Sequence, residues 1–100
     1  MSFVPYDYLA LKRHFFWRQN TAPTIQKSAE GWAFRRMPAY RKKGVPDIIL
    51  IKDGRFIGIE VKRDTGRLSE HQIEFARGTE AAGGTYLVAR SIEDVQRAGL

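Results

Sequence analysis

The sequence contains no cysteine and only two histidines in 100 residues. Without thiolates, neither a disulfide framework nor a cysteine-ligated metal site can form, and the chain suits a reducing compartment. His14 and His71 stand in no metal-ligand spacing, and His71 falls in the first turn of an expected helix, so neither is assigned a role. No apolar run approaches the roughly 18 residues needed to span a bilayer, and the first residues carry no signal-peptide pattern. No membrane partner and a cytoplasmic location are therefore expected. Acidic residues are also scarce, 11 against 17 Lys and Arg, which leaves a formal net charge of +6. That excess favours a polyanionic partner such as nucleic acid, or less readily an anionic membrane surface; a solvated basic surface with no such partner is the plain alternative.

Hydrophobic residues, at 43%, are numerous enough to offset the entropy of folding. The length allows one core but not two, so a single domain over residues 1–100 is expected. Val4, Tyr8, Leu11 and Phe15 recur at helical spacing, with Pro5 tolerated near a helix start. "FFWRQN" reads as a strand, "TAPTIQKSAEG" as a loop and "WAFRRM" as a second strand. A basic loop, "PAYRKKG", leads into two β-branched apolar runs, Val45 to Ile51 and Phe56 to Val61, separated by Asp53-Gly54, a strong two-residue hairpin signal. Ser69 with Gln72 three residues on forms a capping-box pattern, with Leu68 placed to staple against Ile73, for a helix running to about Ala82 and ending at Gly83-Gly84. "TYLVA" is then a strand and "SIEDVQRAG" a short helix capped by Ser91. The pattern predicts an α/β domain, a central mixed sheet flanked by helices.

Within the hairpin, "GVPDIILIKDGRFIGIEVK", three charged residues interrupt apolar sequence: Asp47, Glu60 and Lys62. A two-residue turn at Asp53-Gly54 pairs Lys52 with Arg55, and the same register carried inward sets Asp47 opposite Glu60. Directly opposed residues have Cβ atoms roughly 4.5–5.5 Å apart, and like charges there repel. Lys62 emerges on the face of Glu60, while Ile57, Ile59 and Val61 point to the other. A bulged turn would shift this register by one. On an exposed sheet the three would be an ordinary ion network. Here "IILI" is apolar on both faces, as in a covered central strand, where charges are costly unless paired or bound to a metal. A hard divalent cation between Asp47 and Glu60 would remove the repulsion. Mg²⁺ suits two carboxylates completed by waters and phosphate oxygens, which implies phosphodiester hydrolysis with Lys62 positioning or deprotonating water or offsetting charge on the phosphate.

Pro46-Asp47 followed after an interval by Glu60-Val61-Lys62 resembles the PD-(D/E)XK nuclease signature. Together with "GVPDIILI", "GRFIGIEVK" and "GRLSEHQIEFARGTEAAGGTYLVARSIEDV", in order and spacing, the stretch from Phe15 to Val95 resembles the VRR-NUC (virus-type replication-repair nuclease) domain. The resemblance implies a restriction-endonuclease-like architecture and a Mg²⁺- or Mn²⁺-dependent endonuclease. It implies Asp47, Glu60 and the Val61 carbonyl as metal ligands, Lys62 as the catalytic lysine and Gln72 as the helix glutamine; Gln72 would equally complete a capping box with no chemistry. Members also carry an acidic residue, usually Glu, on the first helix. Here the only acidic residue before Glu30 is Asp7. Members of this size resemble homodimeric enzymes resolving branched DNA, and cutting two strands symmetrically with one site per domain requires two copies about a two-fold axis. The first helix and "FFW" offer apolar groups for that interface, with core packing as the plainer reading of Phe16 and Trp17.

Arg35, Arg36, Arg41, Lys42 and Lys43 precede the hairpin, and Arg63 and Arg67 follow it, so positive charge gathers beside the expected metal. These residues would bind DNA phosphates without reading sequence, or form a solvated loop. Tyr40 is a candidate for stacking on unpaired bases; Trp32 and Phe34 alternate as core residues of a strand should. Two rivals to the enzyme are an inactive nuclease-fold module that binds nucleic acid, and an assembly domain whose charged residues form a structural network.

Overall fold

The computed structural model describes residues 5–19 and 40–100. Among them run helix α1 (Tyr6–Leu11), strands β1 (Phe15–Arg18), β2 (Ile48–Lys52) and β3 (Arg55–Val61), helix α2 (Glu70–Ala81), strand β4 (Thr85–Ala89) and helix α3 (Ile92–Arg97). The strands form one mixed sheet in the order β1-β2-β3-β4, antiparallel at the first two pairings and parallel at the third. The result is a small α/β domain. The expected "WAFRRM" strand, with Trp32, Phe34, Arg35 and Arg36, lies outside the described residues, as do Val4 and Glu30.

The hairpin follows from its turn. Asp53 (φ 53°) and Gly54 (φ 75°) both adopt left-handed backbone, the conformation whose twist matches two antiparallel strands joined by two residues. Lys52 pairs with Arg55, and the register runs without a bulge to Ile48 opposite Ile59. β2 is a central strand, with Ile48, Ile49 and Leu50 buried, as its two-sided apolar pattern requires. The parallel strands β3 and β4 are joined through α2, the crossover such a pairing needs.

Both later helices begin where the serines place them. Ser69 Oγ accepts from the Gln72 N–H at 3.2 Å, and Gln72 Oε1 accepts from the Ser69 N–H at 2.9 Å, a complete capping box. Ser91 Oγ accepts from the Asp94 N–H at 3.3 Å. The first helix is shorter than its apolar spacing predicts. It stops at Leu11, Arg13 turns left-handed (φ 60°), and the chain enters β1. Leu11 is therefore 82% exposed, Phe15 belongs to the strand, and Leu9 is the fully buried residue of α1, with Tyr6 and Tyr8 packed against the core beside it.

That core lies on one face of the sheet. Ile48, Leu50, Ile59 and Ala89 meet Leu9, Val95 and Leu100, with Ile57 and Val61 packed at the margin. The Tyr8 hydroxyl donates to the Leu100 carbonyl at 3.1 Å, tying α1 to the end of α3. Burial of each such side chain contributes about 1.5–3 kcal/mol, so this face carries most of the stability. The alternate residues, Ile49, Gly58, Glu60 and Tyr86, face the opposite side, where α2 lies against β3 and β4. Among the described residues no helix is long and apolar enough to cross a membrane.

Candidate functional site

Two glycines bring the site together. Gly44 has φ +78°, and a Cβ there would lie 2.2 Å from the His71 carbonyl oxygen; the segment before β2 can press against the first turn of α2 only with glycine at this position. A Cβ on Gly58 would lie 2.7 Å from Pro46 Cγ, so the bare glycine of β3 is what admits the buried Pro46. One contact fixes the loop to the helix that carries Gln72. The other sets Pro46-Asp47 onto the strand that carries Glu60.

Asp47 is held from two sides. Its carbonyl accepts from the Gln19 N–H at 2.8 Å, and its carboxylate Oδ2 accepts from the Val61 N–H at 2.8 Å. Glu60 is 3% exposed and is the one charged residue among the buried positions described. Gln72 Nε2 donates to its Oε1 at 3.0 Å, the Tyr86 hydroxyl approaches its Oε2 at 3.5 Å, and Lys62 Nζ stands 4.0 Å from Oε1. Gln72 thus serves the cap and the cluster together: its amide oxygen closes the capping box while its amide nitrogen holds Glu60.

Burial pushes the Glu60 carboxyl up to about 7, and the charge of Asp47 and a hydrogen bond with it add to the shift; Lys62 and then Tyr86 act in the opposite direction and do not cancel it. Burial and the Glu60 charge push the Tyr86 phenol up as well. At neutral pH the Glu60 site is poised between a proton and a charge, and a cation placed between the carboxylates would stabilise the charged form. Two carboxylates, one buried and one positioned by backbone, are hard oxygen donors that fit Mg²⁺ or Mn²⁺. Val61 enters this geometry through its N–H on Asp47.

Asp7 does not join them. α1 packs through Leu9 on the core face, opposite Glu60, and Asp7 is exposed there. Among the described residues no group of three or more Asp, Glu, His or Cys side chains converges.

Of the basic residues, Arg41, Lys42 and Lys43 are exposed on the segment leading to Gly44. Arg41 and Lys42 line a cleft of about 460 Å³ with Gln19, Gly44, Val45, Ser69 and Gln72, which sets two cations within one cleft of the glutamine that holds Glu60. Arg63 and Arg67 are exposed after β3, and the Arg63 carbonyl accepts from the Arg90 guanidinium. Arg35 and Arg36 lie outside the described residues. Tyr40 is fully exposed. Tyr86 is the site residue that the sequence reading misses: its approach to Glu60 depends on the parallel register of β3 and β4, which no local turn encodes. Compared with family models, curated proteins and solved structures, the chain gives no match in any of the three.

Proposed function

We propose that the chain is a metal-dependent, structure-selective DNA endonuclease of restriction-endonuclease-like architecture, hydrolysing phosphodiester bonds in four-way (Holliday) junctions or other branched DNA. The observation that carries this reading is the buried Glu60 beside Asp47, with Lys62 Nζ 4.0 Å away. A structural ion network would be built to cancel charge. Here Lys62 leaves the carboxyl raised to about 7, an arrangement suited to accepting a cation. The motif order, Pro46-Asp47 then Glu60-Val61-Lys62, is that of the VRR-NUC domains the sequence resembles.

Asp47 and Glu60 would hold Mg²⁺ or Mn²⁺, with the Val61 carbonyl as the further ligand implied by that resemblance. When bound, the cation supplies Lewis acidity toward the scissile phosphate and toward water. In the hydrolysis a water oxygen forms the new P–O bond and gives up a proton, while the bond to the leaving strand's oxygen breaks and that oxygen takes up a proton, so water is divided between the new phosphate end and the new hydroxyl end. Lys62 offsets the negative charge gathering on the phosphate, or orients the water. Gln72, donating to Oε1, keeps the Glu60 carboxylate aimed. Arg41, Lys42, Lys43, Arg63 and Arg67 bind flanking phosphates and weaken as salt rises. Exposed Leu11 (82%), Phe15 (70%) and Trp17 (42%) support a homodimer, which would give two sites for two strands.

One observation favours a second reading, a nuclease-fold module that binds DNA without cutting it: no third carboxylate joins Asp47 and Glu60 among the described residues. The deciding experiment is cleavage of a labelled four-way junction beside matched duplex and single strand, in Mg²⁺, Mn²⁺ and EDTA, with the parent and Lys62→Ala. Metal-dependent cutting of the junction, lost in Lys62→Ala, is expected. Binding without cutting in either metal would transfer the case to the second reading.

A further inference from the structure

Gly78 sits in the interior of α2, where glycine destabilises a helix relative to alanine, and the fold does not require it. A Cβ built there would meet nothing within 4 Å, in contrast to Gly44 and Gly58, whose missing side chains admit neighbouring groups. Gly78 opens onto a groove of about 770 Å³, a volume within the roughly 300–1,000 Å³ range of ligand sites. From α2 the groove is lined by His71, Glu74, Phe75, Gly78 and Thr79. The segment before β2 adds the run of three cations Arg41, Lys42 and Lys43 to the same lining.

We infer that this groove takes an unpaired nucleotide of a DNA strand, its base against Phe75 and Gly78 and its phosphates along Arg41 to Lys43. A planar base needs an aromatic partner and clearance beside it. Phe75, tilted against Tyr86 at a centroid distance of 6.3 Å, supplies the ring, and the absent Cβ of Gly78 supplies the clearance. The consecutive cations complement a polyanion and outnumber Glu74 on the same groove. Duplex DNA keeps its ring faces stacked inside and offers this groove phosphates alone, so the selectivity is for unpaired segments, as found at branches and flaps. Arg41 and Lys42 also line the cleft that reaches Gln72, so a nucleotide in the groove lies alongside the strand presented to Glu60. The inference rests on the nuclease reading for its DNA context, and its test requires no cleavage.

The test is fluorescence anisotropy in EDTA with a short labelled oligothymidylate and, separately, a blunt duplex, using the parent, Gly78→Ala and Gly78→Leu. Both substitutions favour the helix, so both variants should melt at or above the parent's temperature while filling the groove. Gly78→Leu should weaken oligothymidylate binding by about tenfold or more, as expected for loss of a base-stacking contact, with Gly78→Ala intermediate and duplex affinity unchanged. Equal oligothymidylate affinity in parent and Gly78→Leu overturns the inference, as does an equal loss on the duplex, or a change confined to self-association in sedimentation. A groove effect that persists in a chain unable to cut any junction leaves the inference standing and the nuclease reading refuted. Metal-dependent cutting with no effect of Gly78→Leu on binding does the reverse.

Discussion

Ile59 and Glu60 are adjacent on β3 and almost equally buried, at 0% and 3%, yet the two faces of the sheet they enter are built on different terms. Ile59 joins Leu9, Ile48, Leu50, Ala89, Val95 and Leu100 in a continuous apolar core between the sheet and helices α1 and α3. Glu60 meets Asp47, Gln72, Tyr86 and Lys62, under a helix with no buried residue of its own. The first face supplies stability through burial. On the second, α2 contributes little core: it delivers Gln72 to a carboxylate and walls a groove with Phe75 and Gly78. Phe15 and Trp17 of β1 continue that second face and stay exposed, while Phe16 between them packs on the core. A period of two thus separates the face that carries the apolar core from the face that carries Glu60, Phe15 and Trp17.

Substitution at the two adjacent positions should divide in sign. Ile59→Ala removes a fully buried side chain and should cost about 2–5 kcal/mol in denaturant unfolding. Glu60→Gln removes a buried charge that faces Asp47 and should stabilise the protein at pH 8 in EDTA, by up to about 3 kcal/mol. A loss at Glu60 as large as at Ile59 would show that the two faces share one structural role. The gain should also depend on pH. Because the folded carboxyl titrates at about 7 and the unfolded one near 4.5, the native state holds the extra proton between those values. Parent stability therefore falls across that window as pH rises, and stays lowered above it. Glu60→Gln should lack that slope, so the two proteins converge near pH 4.5. The smallest effect is expected at the join between the faces: Ser69→Ala removes the cap and should cost about 1 kcal/mol in thermal unfolding, while shifting the pH dependence of the parent only slightly, since the Gln72 bond to Glu60 remains.

The parts of this arrangement fixed by local chemistry are legible in the sequence. Asp53-Gly54 sets the hairpin register, which runs unbroken to Ile48 opposite Ile59, and one residue beyond its end the Asp47 side chain interacts with Glu60. Ser69 and Ser91 start their helices through side-chain bonds to backbone, and Gln72 completes the first of those caps. What depends on distant packing is not legible. The approach of Tyr86 to Glu60 follows from a parallel register set by the crossover through α2. The seat of Pro46 on Gly58, and the clefts joining Arg41 and Lys42 to α2, depend on how one loop crosses the sheet. At α1 the apolar spacing overstates the helix, because the turn at Arg13 redirects the chain before Leu11 can be covered.

The most direct measurement of the central claim, that Asp47 and Glu60 form a cation site, is a Mn²⁺ titration of the parent and of Asp47→Asn, followed by electron paramagnetic resonance at pH 8 and at pH 5.5. The parent should bind Mn²⁺ at pH 8 and much more weakly at pH 5.5, where the Glu60 carboxyl is protonated, and Asp47→Asn should bind poorly at both. Equal binding by the two proteins, or binding by the parent that is indifferent to pH, would contradict the account.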